Sequence, residues 1–396
     1  MERDSSETTT QVDLSQCVNV ITWNRQIFNI IGLWPTNIDN RLFFFFFADA
    51  IVHCCLEYAE LLEDRHFTEY LIPKLAEKVT LTMIIVKLGM YRLNIKRLCQ
   101  VINDIEGDYE IDKYKTLDER LEFLKYNKMA KRFIKFAVPS IFTTVLIFYL
   151  RPLLDQIISI TETANSSMEY VLPYKTRYFF EITELHTYVL TYVLQVLTIP
   201  LVICGYTGTD CFLVTLVFHA CGQFSVLALQ VKNVTMDPVG RHHGIEQVIV
   251  NHLRIMRMTK KLNKAFAGLL LPQILSAPII ICLVGYSALN MSWSPRQRAE
   301  FFTFVLFSLN MLFILFAYCF IGECLIMEST GFCDALYNSN WYDLPPEHAR
   351  LLIICMCQAQ RPLELTAGQF YVFSLEQYMY VVKTSLAYLS MMRTIL

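Results

Sequence analysis

A chain of 396 residues that is 54% hydrophobic, 13% aromatic and only 18% charged lies outside the composition of soluble globular domains and points to a membrane protein. Its 34 Lys and Arg against 36 Asp and Glu leave a net charge of -2, too balanced to favour nucleic acid or an acidic substrate.

Residues 1–41 read as a polar N-terminal segment of mixed charge, without a basic start, an apolar core and a small-residue cleavage site in that order. The first apolar helix is therefore expected to serve as its own insertion signal. Stretches near the ~20 residues that cross a bilayer run from Leu42 to Glu60, Leu71 to Met90, Phe133 to Leu154, Leu185 to Tyr206, Phe266 to Leu289, Phe301 to Ile326 and Gln369 to Ile395. An all-α protein of seven transmembrane helices is predicted, with spans one to six in 42–326 and a seventh in 369–396. The fourth runs on through Cys211 to Val231, as one protruding helix or two shorter ones. Asp210, His219 and Gln223 at helical spacing favour the protruding helix, because lipid exposure there is costly.

Charge orients the stack. The connections 91–132 and 223–264 carry ten and seven Lys or Arg, whereas the three between them carry one, three and two. The basic pair belongs in the cytoplasm, which places the N-terminus inside and the C-terminus outside. The sequons at Asn165 and Asn290 then fall outside, Asn165 being the expected glycosylation site, while the one at Asn233 falls inside. Leu98, Ile102, Ile105, Leu117, Leu121 and Leu124, with Val248, Leu253, Met256 and Leu262, recur at helical spacing among charges, so both basic connections read as cytoplasmic extensions of the membrane helices. The external segments carry no cysteine, although the chain has 13, so a disulfide framework is not expected.

Asp49, His53 and Glu57 follow at i,i+4 on one face of the first span. An ion or proton path is one reading; a polar seam against neighbouring helices is the other and the simpler. His242, His243, Glu246 and His252 lack a recognised metal-ligand spacing and fall in a polar turn after Pro238 and Gly240, so no metal site is expected. No phosphate loop, nucleophile elbow or zinc-protease pattern appears, and neither an enzyme nor a cofactor is expected.

The outer halves of spans two, three, four and six mix apolar, aromatic and a few polar groups: Val79, Thr80 and Met83; Thr144, Ile147 and Phe148; Tyr188, Tyr192, Gln195, Val196 and Ile199; Phe304, Phe307 and Ser308. Such a lining suits a small apolar ligand, held by dispersion and desolvation and oriented by one or two polar groups. Ordinary helix packing is the competing explanation for each residue taken singly.

The end of the chain is more informative. Tyr318-Cys319 and Gly322-Glu323 lead through Ser329, Ala335-Leu336-Tyr337, Trp341-Tyr342, Pro345-Pro346, Leu351 to Met356, Gln360 and Pro362 to Ala367-Gly368-Gln369-Phe370. Ser374-Leu375, Val382-Lys383-Thr384-Ser385 and Tyr388 follow. In order and spacing this segment resembles the helix-six to helix-seven region of insect odorant receptors. The Gly32-Leu33-Trp34-Pro35 segment and the seven-helix plan extend the likeness loosely upstream. Gustatory receptors share the architecture, but the Ala-Gly-x-Phe, Ser-Leu and Lys-x-Ser elements together are more similar to the odorant branch. The chain also lacks the co-receptor's long insertion in the second cytoplasmic connection.

The resemblance implies a ligand-gated, non-selective cation channel subunit, forming a heterotetramer with the odorant co-receptor in the plasma membrane of a sensory dendrite and binding a volatile organic ligand. It implies a cytoplasmic anchor of helices at 327–368, consistent with the short apolar run Leu351–Met356, which cannot span and needs a partner. It further implies that the seventh helix lines the pore, with Met391, Thr394 and Ile395 at the gate and Arg393 beside them. A gustatory receptor-type channel and a seven-helix secondary transporter are the alternatives. A G-protein-coupled receptor would need an outside N-terminus.

Overall fold

The computed structural model describes residues 15–63, 71–110, 113–162, 170–174, 184–236, 241–289 and 295–395, with 176, 178, 180 and 182 between. The chain begins with a helix that the sequence pattern did not reveal, α1 (Ser15–Asn29). Its inner face carries Val20, Asn24 and Phe28, four residues apart, and Asn24 Nδ2 donates to Thr215 Oγ1 at 3.0 Å. Leu33 and Trp34 of the following turn are buried, so the Gly32–Pro35 segment is part of the core. Asp39 then caps α2 (Asn40–Glu63), its Oδ1 accepting from the Arg41 N–H at 3.0 Å.

The helices that follow are α3 (Leu71–Leu93), α4 (Ile95–Glu106), α5 (Leu117–Glu162) and α6 (Leu185–Val196). A π-helical turn, Leu201–Thr207, leads into α7 (Gly208–Met236), and α8 (Arg241–Leu289), α9 (Pro295–Tyr337), α10 (Pro346–Ala359) and α11 (Leu375–Ile395) complete the set. The fourth predicted span is therefore one protruding run from Leu185 to Asn233, interrupted by the π-helix. His242 and His243 stand in the first turn of α8 and not in a preceding turn.

α5, α8 and α9 have 46, 49 and 43 residues. At 1.5 Å per residue each is roughly 65 Å or longer, about twice the ~30 Å hydrocarbon layer. Their excess length forms a helical layer at one end, called here the lower end, where α4 and α10 pack against α8 and α9. Among the described residues five runs are long and apolar enough to cross a membrane by themselves: α2, α5, the α6–α7 run, α8 and α9. α3 and α11 are long enough at 23 and 21 residues but carry more polar groups, which α3 buries, as Lys78 and Lys87 show.

α7 is the axis of the molecule. It packs on α1, α5, α8 and α9, and nearly every side chain from Gly208 to Gln223 is buried, including Asp210, Thr215, His219 and Gln223. The lower layer is held by polar contacts. Asp108, in the turn after α4, is wholly buried. It meets His219 Nε2 of α7 at 3.0 Å, Arg254 of α8 at 2.7 Å and the ammonium of Lys113. Burial by itself raises the Asp108 pKa, but the His219 hydrogen bond and the charges of His219, Lys113 and Arg254 outweigh it and hold the carboxyl well below the usual range.

The Ala367-Gly368-Gln369-Phe370 element is a tight hairpin and not the start of a helix. β1 (Thr366–Ala367) pairs antiparallel with β2 (Tyr371–Val372), and Gly368 and Gln369 both have positive φ, 58° and 67°. Two left-handed residues in succession match the twist of the strands, which explains the glycine. Asn263 of α8 pins the hairpin, accepting from the Thr366 N–H at 2.9 Å, and the Gly368 N–H donates to the Ala267 carbonyl at 2.9 Å. The final helix consequently starts at Leu375, later than the predicted Gln369.

Candidate functional site

Toward the upper end, α3, α5, the π-helix and α9 separate around a cavity of about 90 Å³, room for several water-sized spheres or a small organic molecule. Thr80, Leu81 and Ile84 come from α3, Ile141, Thr144, Val145, Phe148 and Tyr149 from α5, Val202 from the π-helix, and Thr303 and Phe307 from α9. Tyr174, from the segment between α5 and α6, closes one side. The lining is aliphatic and aromatic with a few hydroxyls. The hydroxyls are engaged within the protein, as where Thr144 Oγ1 donates to the Ser140 carbonyl at 3.0 Å and Tyr149 Oη donates to the Gln195 carbonyl at 2.8 Å. A guest would be held mainly by dispersion and desolvation.

Of the residues singled out from the sequence, Thr80, Thr144, Phe148 and Phe307 line this cavity. Tyr192, Val196 and Ile199 form the layer behind it, packed on Ile141, Val145 and Tyr149, and the Tyr192 hydroxyl donates to the Tyr149 carbonyl. Gln195 and Tyr188 act on the covering segment. Gln195 Oε1 accepts from the Tyr174 N–H at 3.0 Å while its Nε2 donates to the Tyr174 carbonyl at 3.0 Å and Tyr188 Oη donates to the Val171 carbonyl at 3.1 Å. Val79, Met83, Ile147 and Ser308 are half-buried away from the lining. The side chain of Phe304, and Asn165, lie outside the described residues.

Sequence reasoning passed over Leu81, Ile84, Ile141, Val145, Tyr149, Tyr174, Val202 and Thr303. Ile84 and Ile141 stand one helical turn from Thr80 and Thr144, so extending each stripe by a turn would have found them. Tyr174 had no such signal, because it comes from an irregular segment that reaches the cavity only through tertiary contacts.

The remaining candidates fall in three places. His53 and Glu57 lie in a seam at the α2–α3 face, 3.6 Å apart, and the His53 ring meets the Tyr174 ring edge-on at 4.9 Å; Asp49 is half-buried one turn before them. Among the described residues no three potential ligands gather as for a metal; His252 instead contacts Cys355 Sγ at 3.3 Å. Met391 is 57% exposed on α11, and Thr394 and Ile395 share its last turns, their side chains outside the described residues.

Below the cavity the π-helix joins a buried polar cluster. Four residues after Val202, the ring of Tyr206 carries the Lys87 ammonium 3.9 Å from its centroid, and its hydroxyl donates to Gln273 of α8. Lys87 is paired with Asp210, which also accepts from the Tyr318 hydroxyl. The Tyr318 ring meets Phe373, immediately before α11, at 5.7 Å. Gly322, one turn below Tyr318, lets α9 approach the Phe373 carbonyl so closely that any Cβ would collide with it.

A bundle of long apolar helices around an apolar cavity is the form of a multi-pass membrane receptor, and the comparisons agree. Residues 72–386 match the family described as 7tm odorant receptor, and the chain belongs to that family. It is 24% identical over 226 residues to odorant receptor 9a of Drosophila melanogaster, covering 56% of each chain, and 22% identical over 313 residues to odorant receptor 49a of the same fly, covering 76% of each. Odorant receptor Or2 of Anopheles gambiae is 25% identical over 225 residues, 53% of this chain and 57% of that one. The chain thus spans little more than half the length of the first curated relatives it matches. The structure of the olfactory receptor OR5 from Machilis hrabei in complex with eugenol superposes with a TM-score of 0.75 at 15% identity, over 96% of this chain and all of that one. The fold is that of the insect olfactory receptor structures. The family is one of receptors and not of enzymes.

Proposed function

We propose that this chain is a ligand-binding subunit of an odorant-gated, non-selective cation channel, assembled with the odorant co-receptor as a heterotetramer in the plasma membrane. The observation that carries the reading is the apolar cavity between α3, α5 and α9, which has the size and lining for a small volatile molecule. The lower end is cytoplasmic in this reading, because the basic connections lie there. α4, α10 and the helix extensions are then the anchor at which subunits meet. α11 lines a shared pore, with Met391, Thr394 and Ile395 forming an apolar constriction that stops ions by dewetting.

The character of α11 supports this role. One side is fixed: Ser385 is buried and the Cys282 thiol of α8 donates to its carbonyl at 3.5 Å. The other side leaves Met379, Tyr380, Lys383, Leu386 and Met391 exposed. A lysine on the free face of a membrane helix calls for water or a protein partner. Ligand in the cavity presses on Val202, and the chain Tyr206, Lys87–Asp210, Tyr318, Phe373 leads from there to the base of α11. Occupancy shifts the closed–open equilibrium to the extent that the open arrangement binds ligand better.

Patch-clamp recording of the chain with its co-receptor, over a panel of volatiles that includes eugenol, tests the reading. Evoked cation currents are expected, and Met391→Ala is expected to raise leak or conductance. Absence of current with every compound, from a complex present at the surface, would refute channel function; an unaltered Met391→Ala pore would refute the gate.

A further inference from the structure

A second recess lies on the outside of the bundle, away from the ligand cavity. It encloses about 370 Å³ between α5 and α9, with α7 as its floor. Phe133 and Phe136 form one wall, Phe313, Phe316 and Phe320 the other, and the buried ring of Phe218 lies at the bottom. Phe133 and Phe313 stack at 5.6 Å. Phe136 and Phe316, 58% and 41% exposed, flank the mouth.

One charged residue borders this aromatic slot, Arg132, which is exposed and forms no ion pair among the described residues. Its level is set by the sequence, for it lies in the basic stretch Lys125–Lys135 where the apolar residues from Phe133 begin, Lys135 being the last cation before Arg151. It therefore stands where headgroups meet acyl chains. An uncompensated guanidinium at that depth needs an anion or water, and its planar fork matches a phosphate.

We propose that this recess is a binding site for one anionic phospholipid, its acyl chain lying over Val214, Phe218 and Ala317 beside the stacked phenylalanines and its phosphate held by Arg132. A protein partner fits the charge less well, since it would have to bring an acidic side chain to the membrane boundary. The site adjoins the final helix: Phe316 meets Tyr378 of α11 edge-on at 5.5 Å. Bound lipid thereby braces the base of α11 from the membrane side.

The test is photolabelling of the full-length protein in nanodiscs with phosphatidylglycerol or phosphatidylcholine bearing an acyl-chain diazirine, followed by peptide mapping. Phosphatidylglycerol is expected to label peptides containing Phe133–Phe136 and Phe313–Phe320. Arg132→Gln should lower that labelling about five-fold, the factor for one basic side chain at an anionic surface, while Arg132→Lys keeps most of it. Ala317→Trp, which fills the recess from α9, should remove labelling by either lipid. Equal labelling by both lipids that Arg132→Gln leaves unchanged would overturn the proposal. So would wild-type label confined to other peptides, or a cross-link showing a second copy seated on these walls.

Discussion

Gln195 holds Tyr174 by both backbone groups, accepting from its N–H and donating to its carbonyl, each at 3.0 Å. The side-chain amide thus makes the pair of backbone bonds that a neighbouring strand would make. Its Nε2 also reaches Thr176 Oγ1 and Tyr178 Oη, both at 3.2 Å. Tyr174 in turn closes the cavity against Phe148, ring centroids 5.0 Å apart.

Gln195→Leu should therefore loosen the cover without altering the cavity floor. Leaving buried backbone groups unpaired costs about 1–3 kcal/mol, so the half-maximal concentration of the best agonist in the panel is expected to rise about tenfold. Gln195→Glu keeps the acceptor and loses the donor, and should fall between. Concentration–response curves measured beside surface expression decide it; an unshifted Gln195→Leu curve would show that the cover is held by other contacts.

Lys87 and Asp210 are 3% and 1% exposed and join α3 to α7 in the middle of the bundle. Removing one partner strands a buried charge, for which ~3–5 kcal/mol is typical. Lys87→Met should lower the melting temperature of the purified protein substantially, and Lys87→Met with Asp210→Leu should recover most of the loss. The double variant should also respond to ligand less steeply, since the link from Tyr206 to Tyr318 is cut. Size-exclusion melts followed by current recording separate the two effects.

Asp108 predicts the acid behaviour of the lower layer. Its folded-state pKa is depressed, so the stability it contributes is complete above the unfolded carboxylate value of about 3.9 and is lost as pH falls from there toward the folded value. Wild-type melting temperature should hold from neutrality to about pH 4 and drop below it. Asp108→Asn should be lower at neutral pH and flatter through the acid range. Parallel acid slopes for the two proteins would assign the acid lability to other carboxylates.

The long spans, the polar seam on α2 and the resemblance of the C-terminal segment were legible because apolar length and i,i+4 spacing are local properties. The course of the fourth span was legible too, apart from the π-helix that places Val202 in the cavity wall. Less local features were not. α1 packs through Val20, Asn24 and Phe28 with Ile21, Trp23 and Ile27 beside them, but it is too short to cross a membrane and follows a polar stretch, so apolar length did not mark it. The hairpin at Thr366–Val372 depends on two left-handed residues and on Asn263, far away in sequence. The cavity was one-third legible: Thr80, Thr144, Phe148 and Phe307 combine a hydroxyl or ring with a membrane position, whereas Ile84, Ile141 and Val145 resemble any core aliphatic until their helices are seen to part.

The central claim is that ligand occupies the space among Thr80, Ile84, Thr144, Val145 and Phe307. Val145→Trp, whose side chain would fill that space, puts it to the most direct test: currents evoked by the volatile panel are recorded from cells expressing this variant or the wild type with the co-receptor, at matched surface levels. The account predicts that responses to all wild-type agonists fall by at least about tenfold in sensitivity, the equivalent of ~1.4 kcal/mol, while the channel still reaches the surface. Wild-type concentration–response curves from the filled cavity would place the ligand elsewhere and contradict it.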